Sequence, residues 1–272
     1  MIYKKTLSLL AVMAFAIACS TNPFTGKKTL ALVPNSQILP MAFEQYNQFL
    51  AENKVVRGTA DAQMIQRVGQ KIAKASERYL TANGYAGYLK NYRWEYNLVQ
   101  DEAVNAWCMP GGKIVFYTGI LPVTQNEAGV AAVMGHEVAH ALANHGQQRM
   151  SAAQLQQLGA VAGNLALAKN PENQQMFNQY YGVGTQVGVM LPFSRSNESE
   201  ADKIGLTLMA IAGYEPMAAA ELWQRMKQQG GGAPPEILST HPSSDTRIQN
   251  IKSWVPTAKA EARKYGVTSF KK

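Results

Sequence analysis

Gly135-His136-Glu137-Val138-Ala139-His140-Ala141-Leu142 is the stretch on which the reading of this chain turns. On an α-helix, positions i and i+4 lie one turn apart and about 40° around the axis. Both imidazoles therefore converge on one point in space. Glu137, next to the first histidine, can point at a water held there without joining the ligand set. This is the geometry a zinc hydrolase needs. Val133, Met134, Val138, Ala139 and Leu142 make the helix apolar and place it in a core. Two histidines and a glutamate buried there need partners, and a metal ion supplies one.

The chain has 272 residues and only four histidines, three of them between positions 136 and 145. His145 follows His140 by five residues, about 140° round a continuous helix. That direction excludes it from the same ion and assigns it to the surface or to the surroundings of the ligands. Position 146 is glycine, so the third histidine of a metzincin is absent.

Catalytic zinc takes a third protein ligand. The densest acidic stretch of the second half is Ser194-Arg195-Ser196-Asn197-Glu198-Ser199-Glu200-Ala201-Asp202. Glu198 and Asp202 are i and i+4 on a predicted helix, so one carboxylate can ligate while the other orients a ligating imidazole. Spacing alone does not separate Glu198 from Glu200. The alternative for the whole segment is a solvated acidic helix N-terminus favoured by the macrodipole.

Composition removes other classes. With 46% hydrophobic and 16% charged residues the chain has material for a core, which excludes intrinsic disorder. Two cysteines exclude a disulfide scaffold. The net charge of +8 is spread without a basic cluster, so no nucleic-acid partner is expected.

The chain opens with Lys4 and Lys5, then an apolar run from Leu7 to Ala18 broken by Ser8. This reads as an export signal over residues 1–18, too short for a stable bilayer anchor. The run ends Ala16-Ile17-Ala18-Cys19, which resembles a bacterial lipobox with Ala16 in place of the usual leucine. The resemblance implies cleavage before Cys19 and acylation there. Ser20, rather than aspartate, then favours the periplasmic face of the outer membrane over the inner membrane. Cys108 is left as the one other thiol, expected as a small buried hydrophobe.

Residues 19–35, with Pro23, Gly26 and Pro34, read as a lipidated tether. A single domain is expected over residues 36–255, with residues 256–272 as a C-terminal tail. Helices are expected from Ser36, from Thr59 to Leu80, from Ser151 to Ala168, from Ser196 to Ala212-Gly213, and from Ser243 to Trp254. Gln154, Gln156, Gln157 and Asn164 argue against a membrane span in the Ala/Gly/Leu-rich stretch. Tyr92 to Gln100 alternates as a strand, and Val104–Met109 and Lys113–Thr118 flank a turn at Pro110-Gly111-Gly112. Thr124 and Glu127 fit a capping box that would start the histidine helix, which is expected to run to about Gly146. Gln228 to Pro235 reads as a flexible loop.

Three motifs occur together and in order: HEVAHALANH at 136–145, SRSNESEAD at 194–202 and HPSSDTR at 241–247. Together they resemble the metallopeptidase family that contains HtpX, BepA and the type I CAAX prenyl proteases, peptidase family M48, over roughly residues 60–255. The resemblance implies an α+β, mainly α, zincin-like (gluzincin) domain with a small β-sheet beside the active-site helix. It implies one Zn²⁺ per chain, held by His136, His140 and Glu198, with Glu137 as general base and Asp202 orienting a ligand. His241 is implied as oxyanion donor or as a fourth ligand that holds the enzyme latent, and Arg247 as its companion or as the ion-pair partner of Asp202. His145 is a family marker and not a ligand. Asn105, Ala106, Pro110, Gly111 and Gly112 match the family's substrate-binding edge strand.

The multiple membrane spans of the HtpX and prenyl-protease branches are not found, nor is the helical-repeat domain of BepA. A compact exported lipoprotein branch is therefore expected. The implied activity is endopeptidase cleavage of misfolded or unassembled envelope proteins, with a chaperone-like assembly factor as the alternative. The oligomeric state is not read from the sequence.

Overall fold

The computed structural model describes residues 19–229 and 236–272. The expected signal over 1–18 and most of the loop at 228–235 lie outside them. In chain order the elements are β1 (Cys19–Thr21), β2 (Lys28–Leu30), α1 (Asn35–Glu52), β3 (Val55–Val56), α2 (Ala60–Ala82) and β4 (Glu95–Val99). They continue with β5 (Ala106–Met109), β6 (Lys113–Tyr117), α3 (Glu127–Leu142), α4 (His145–Ala166), α5 (Pro171–Thr185) and α6 (Leu191–Ile211). The last are α7 (Met217–Gln229), α8 (Glu236–Thr240) and α9 (Asp245–Lys264). The fold is α+β and mostly helical, as expected. Among the described residues no helix is long and apolar enough to cross a membrane.

Contacts divide the chain into two compact units. One comprises the described residues up to 38 together with 144–197; the other comprises 39–143 and 198–272. In the first unit, residues 19–35 do not run as a tether. β1 and β2 pair antiparallel with Cys19 opposite Leu30. The segment after β2 is bound to α4: Leu32 N donates to Ser151 Oγ at 3.0 Å, and Gln147 Nε2 donates to Val33 O at 2.7 Å. Polar side chains of α4 thus take up backbone groups that a tether would leave in water.

The second unit is built on a four-stranded sheet of order β3-β4-β6-β5. β4 and β6 run parallel and the outer pairs antiparallel, with Leu98 opposite Phe116 and Cys108 opposite Ile114. Among the described residues β5 pairs with β6 alone and forms an edge. The Pro110-Gly111-Gly112 turn between them needs two left-handed residues, φ 84° and 83°. A Cβ on Gly111 would meet the Phe43 ring at 2.4 Å, and one on Gly112 the Trp94 ring at 2.5 Å. Tyr46, Val99 and Val115 form a buried cluster on one side of this sheet.

α3 is buried on every face from Ala128 to Leu142, as an all-round apolar helix must be. Two expectations about it are corrected. Its N-cap is Asn126, whose side chain accepts from Gly129 N; Thr124 Oγ1 instead donates to Leu121 O. Its end is Leu142, because Asn144 takes a left-handed conformation (φ 56°) and starts α4. Asparagine is among the few non-glycine residues that tolerate that region.

Where α3 crosses α6, glycines face each other. A Cβ on Gly205 would lie 2.9 Å from His136 N and from Gly135 C. Backbones this close bring the side chains of α6 within reach of the histidine helix.

α9 is longer than expected and runs ten residues past Trp254. The final residues, expected as a tail, bind back: Lys271 N donates to Gly213 O and Glu215 N to Lys271 O, both at 2.9 Å. Lys271 Nζ, Tyr214 Oη and Arg67 Nη2 all reach the Glu127 carboxylate at the start of α3, at 3.1, 3.2 and 2.8 Å.

Candidate metal centre

His136 and His140 project from adjacent turns of α3 with Nε2 atoms 3.1 Å apart. α6 supplies Glu198, whose carboxylate lies 3.3 Å from His136 Nε2 and 3.2 Å from His140 Nε2. His241 follows α8, a short helix hung on the segment before β5 by Ile237 N donating to Val104 O at 3.2 Å. Its Nδ1 lies 3.2 Å from His136 Nε2 and 2.9 Å from Glu198 Oε2. His136, His140, Glu198 and His241 thus each offer one ligand atom to a single group, with all four atoms within 4.8 Å of one another.

These spacings test whether the residues fit a metal ion. Ligand atoms about 2.0–2.1 Å from a tetrahedral zinc stand about 3.3 Å from each other. The contacts here run from 2.9 to 3.3 Å. Two imidazole Nε2 atoms in such proximity have no hydrogen-bond logic if both carry lone pairs, whereas a shared cation satisfies them together. The residues fit.

The electrostatics point the same way. Burial opposes a charge on His136, but Asp202 and Glu198 outweigh it and raise its pKa to about 9. The same histidines hold Glu198 far below the usual carboxylate range against its burial. The pocket is built to favour positive charge.

Asp202 lies one turn along α6 from Glu198 and meets His136 Nδ1 at 2.9 Å. Holding the proton on Nδ1 leaves Nε2 free to ligate. Arg247, near the start of α9, holds Asp202 through Nε at 2.7 Å and Nη2 at 2.8 Å. Its Nη1 donates to the carbonyls of His241 and Pro242 at 3.2 and 3.0 Å. One guanidinium therefore ties Asp202 to the backbone that presents His241. Burial opposes ionisation of Asp202, and Arg247 and His136 overcome it and lower its pKa.

Glu137 follows the first of these histidines directly on α3. It is 4% exposed, and its Oε1 has no hydrogen-bond partner although it is buried. His241 Nε2 stands 3.5 Å from that oxygen. A buried carboxylate oxygen left unpartnered is costly and suits a group that must accept a proton.

Other site expectations are redrawn. Glu198 is not at a helix N-terminus: α6 begins at Leu191, and Glu198 is 7% exposed. The macrodipole reading of the acidic segment therefore fails. His145 opens α4 and is buried, so it is not a surface residue, and the break at Asn144 removes the angular argument that separated it from the ligands. Asn105 stands just before edge strand β5, which begins at Ala106 and packs against α3; Pro110, Gly111 and Gly112 form the turn after it. Cys108 on β5 is only partly covered by area, yet its thiol is pushed up by desolvation and by the Glu137 carboxylate.

Trp223 on α7 was not singled out from the sequence. Its ring lies 3.6 Å from the Arg247 guanidinium carbon and edge-on to His136 at 5.7 Å. Nothing in the spacing of α7 marks it, because the contact is made across three helices.

The fold and the ligand group define a zincin-like metallopeptidase domain. A model of peptidase family M48 matches residues 59–255, and the chain belongs to that family. It is 35% identical over 192 residues to "Mitochondrial metalloendopeptidase OMA1" of Schizosaccharomyces pombe, covering 70% of this chain and 54% of that protein. It is 24% identical over 246 residues to "Beta-barrel assembly-enhancing protease" of Escherichia coli, covering 88% and 48%. With human "Metalloendopeptidase OMA1, mitochondrial" the identity is 26% over 260 residues, covering 93% and 49%. The chain thus spans about half the length of these relatives.

Proposed function

We propose that this protein is a zinc-dependent endopeptidase of the bacterial cell envelope that cleaves misfolded or unassembled envelope proteins. The observation that carries the reading is the convergence of one ligand atom each from His136, His140, Glu198 and His241, all within 4.8 Å of one another, beside an unpartnered Glu137 oxygen. A metal ion bound there supplies Lewis acidity, polarising a peptide carbonyl and making water a better acid. Glu137 takes the proton of the attacking water and passes it to the leaving nitrogen. Edge strand β5 offers its free backbone edge to an extended substrate, so any unfolded segment can pair there through main-chain hydrogen bonds.

The envelope assignment rests on the export-signal pattern before Cys19 and on the likeness to a β-barrel assembly-enhancing protease. Acylation of Cys19 would tether the protein to the periplasmic face of the outer membrane. The OMA1 relatives are mitochondrial by name, so the likeness to them supports the chemistry rather than the compartment.

The experiment pairs metal analysis with casein cleavage. Wild type should bind one equivalent of zinc and lose cleavage to a chelator. Glu137→Gln should keep the metal and lose cleavage by about 10²-fold or more. Glu198→Ala should lose the metal and Glu200→Ala should keep it. Full cleavage by Glu137→Gln, or full zinc in Glu198→Ala, refutes these assignments.

One observation favours a second reading. His241 Nδ1 stands among the ligand atoms. That supports a resting state in which His241 fills the fourth position and cleavage is held off, with a chaperone-like assembly role dominant. Cells carrying Glu137→Gln discriminate: envelope assembly survives in the second reading and fails in the first.

A further inference from the structure

The first unit carries an apolar surface that the peptidase chemistry does not use. α4 and α5 run antiparallel, with Gly163 against Phe177 and Gly159 against Tyr181. Tyr181 Oη donates to Gln156 O at 3.0 Å, and Asn164 and Asn178 exchange side-chain hydrogen bonds. This seam is fully used. Away from it, Leu158, Val161 and Leu165 on α4 and Met176, Tyr180 and Val183 on α5 are between 55% and 73% exposed.

At 100° per residue, each set forms one narrow stripe, turned from its own seam by about 150° on α4 and about 110° on α5, in the same rotational sense. Because the helices are antiparallel, the same sense places both stripes on one side of the hairpin. Scattered exposed apolar residues need no explanation, but two aligned stripes make a patch, and patches of this kind mark contact with a protein or a membrane.

Charge decides between them. From Met150 to Ser194 the only charged side chains are Lys169 and Glu172. Elsewhere in the unit, Lys27, Lys28, Arg149 and Arg195 are exposed, so five basic groups stand against one acidic group among its described residues. An uncharged apolar face within a basic unit matches an anionic lipid surface. Neither helix is long and apolar enough to span. We propose that the α4–α5 hairpin lies in the headgroup region of an anionic bilayer, with the two stripes facing the acyl chains. This holds independently of any acyl group on Cys19.

The test uses the chain from residue 19 onward with Cys19→Ser, so that no acyl group can attach. It is sedimented with phosphatidylcholine vesicles with and without phosphatidylglycerol. Binding should appear with phosphatidylglycerol and weaken with salt. The combined variant Leu158→Gln, Leu165→Gln, Val183→Gln should lose about tenfold or more of the bound fraction while keeping its circular dichroism and its casein cleavage. In a second measurement, Tyr180→Trp should add fluorescence that brominated lipids quench. Three outcomes overturn the proposal: no vesicle binding by the parent chain, equal binding by the triple variant, or a parent dimer that the triple variant dissolves. Loss of casein binding with vesicle binding intact would assign the patch to protein clients instead and also refute it.

Discussion

Asp202 accepts from both Nε and Nη2 of Arg247, at 2.7 and 2.8 Å, while its Oδ1 meets His136 Nδ1 at 2.9 Å. The orientation of a candidate ligand is thus set by a residue 111 positions away in sequence. Arg247→Lys keeps the charge and loses the two-pronged grip, which a point-like ammonium cannot reproduce. Metal affinity should fall about 10–100-fold in Arg247→Lys and in Asp202→Asn, measured by competition with a chromogenic chelator. Unchanged affinity in both would show that His136 is held by the fold alone.

His241→Ala separates its two roles. With Nδ1 in the ligand group, removing the ring should leave the metal bound by His136, His140 and Glu198 and should raise casein cleavage. A drop in kcat of about 10²–10³-fold with metal retained would instead make His241 an oxyanion donor, an interaction of about 2.7–4 kcal/mol.

Gly205, at the α3–α6 crossing, and Gly146, away from it, should respond oppositely to a methyl group. Gly205→Ala drives a methyl group into the backbone of α3, where no flexible side chain can yield. It should cost about 1–3 kcal/mol in denaturant unfolding and weaken metal binding, because α6 carries Glu198 and Asp202. Gly146→Ala meets open space in α4 and should be neutral or stabilising by up to about 1 kcal/mol.

Glu127 gives a pH signature away from the metal. Burial raises its pKa, but Arg67, Lys271 and Tyr214 overcome that and lower it to about 2 from 4.5. A lowered folded-state value means the carboxylate stabilises the fold above its unfolded pKa and loses that effect as pH falls from about 4.5 to about 2. Arg67 and Lys271 are largely exposed, so solvent screening limits the contribution to about 1–2 kcal/mol. Glu127→Gln should therefore be less stable than wild type at pH 7 and converge with it near pH 2 in urea melts. A constant difference across that window would assign the effect to packing.

Local pattern made part of this site legible. The HExxH spacing places two imidazoles on one helix face, and alternation together with Pro-Gly-Gly marks the strands and turn beside it. Spacing left Glu198 and Glu200 open, and only the ordered motifs shared with relatives chose between them. The capping box failed because Thr124 and Asn126 offer equivalent chemistry two residues apart, and backbone direction decides which one caps. The expected tether failed because proline and glycine content reports local freedom and says nothing of Gln147 and Ser151, more than a hundred residues away, which bind that segment.

Sequence alone therefore determined the pair His136 and His140, the glutamate beside them and the family, because helix period and motif order are properties of neighbouring residues. Tertiary structure alone decided how Glu198 and Asp202 reach that pair, through a glycine crossing, which of its two implied places His241 takes, among the ligand atoms, and that Trp223 packs against Arg247 and His136. Those relationships depend on how closely separate helices approach, which is fixed by packing across the core and is written in no single stretch of chain.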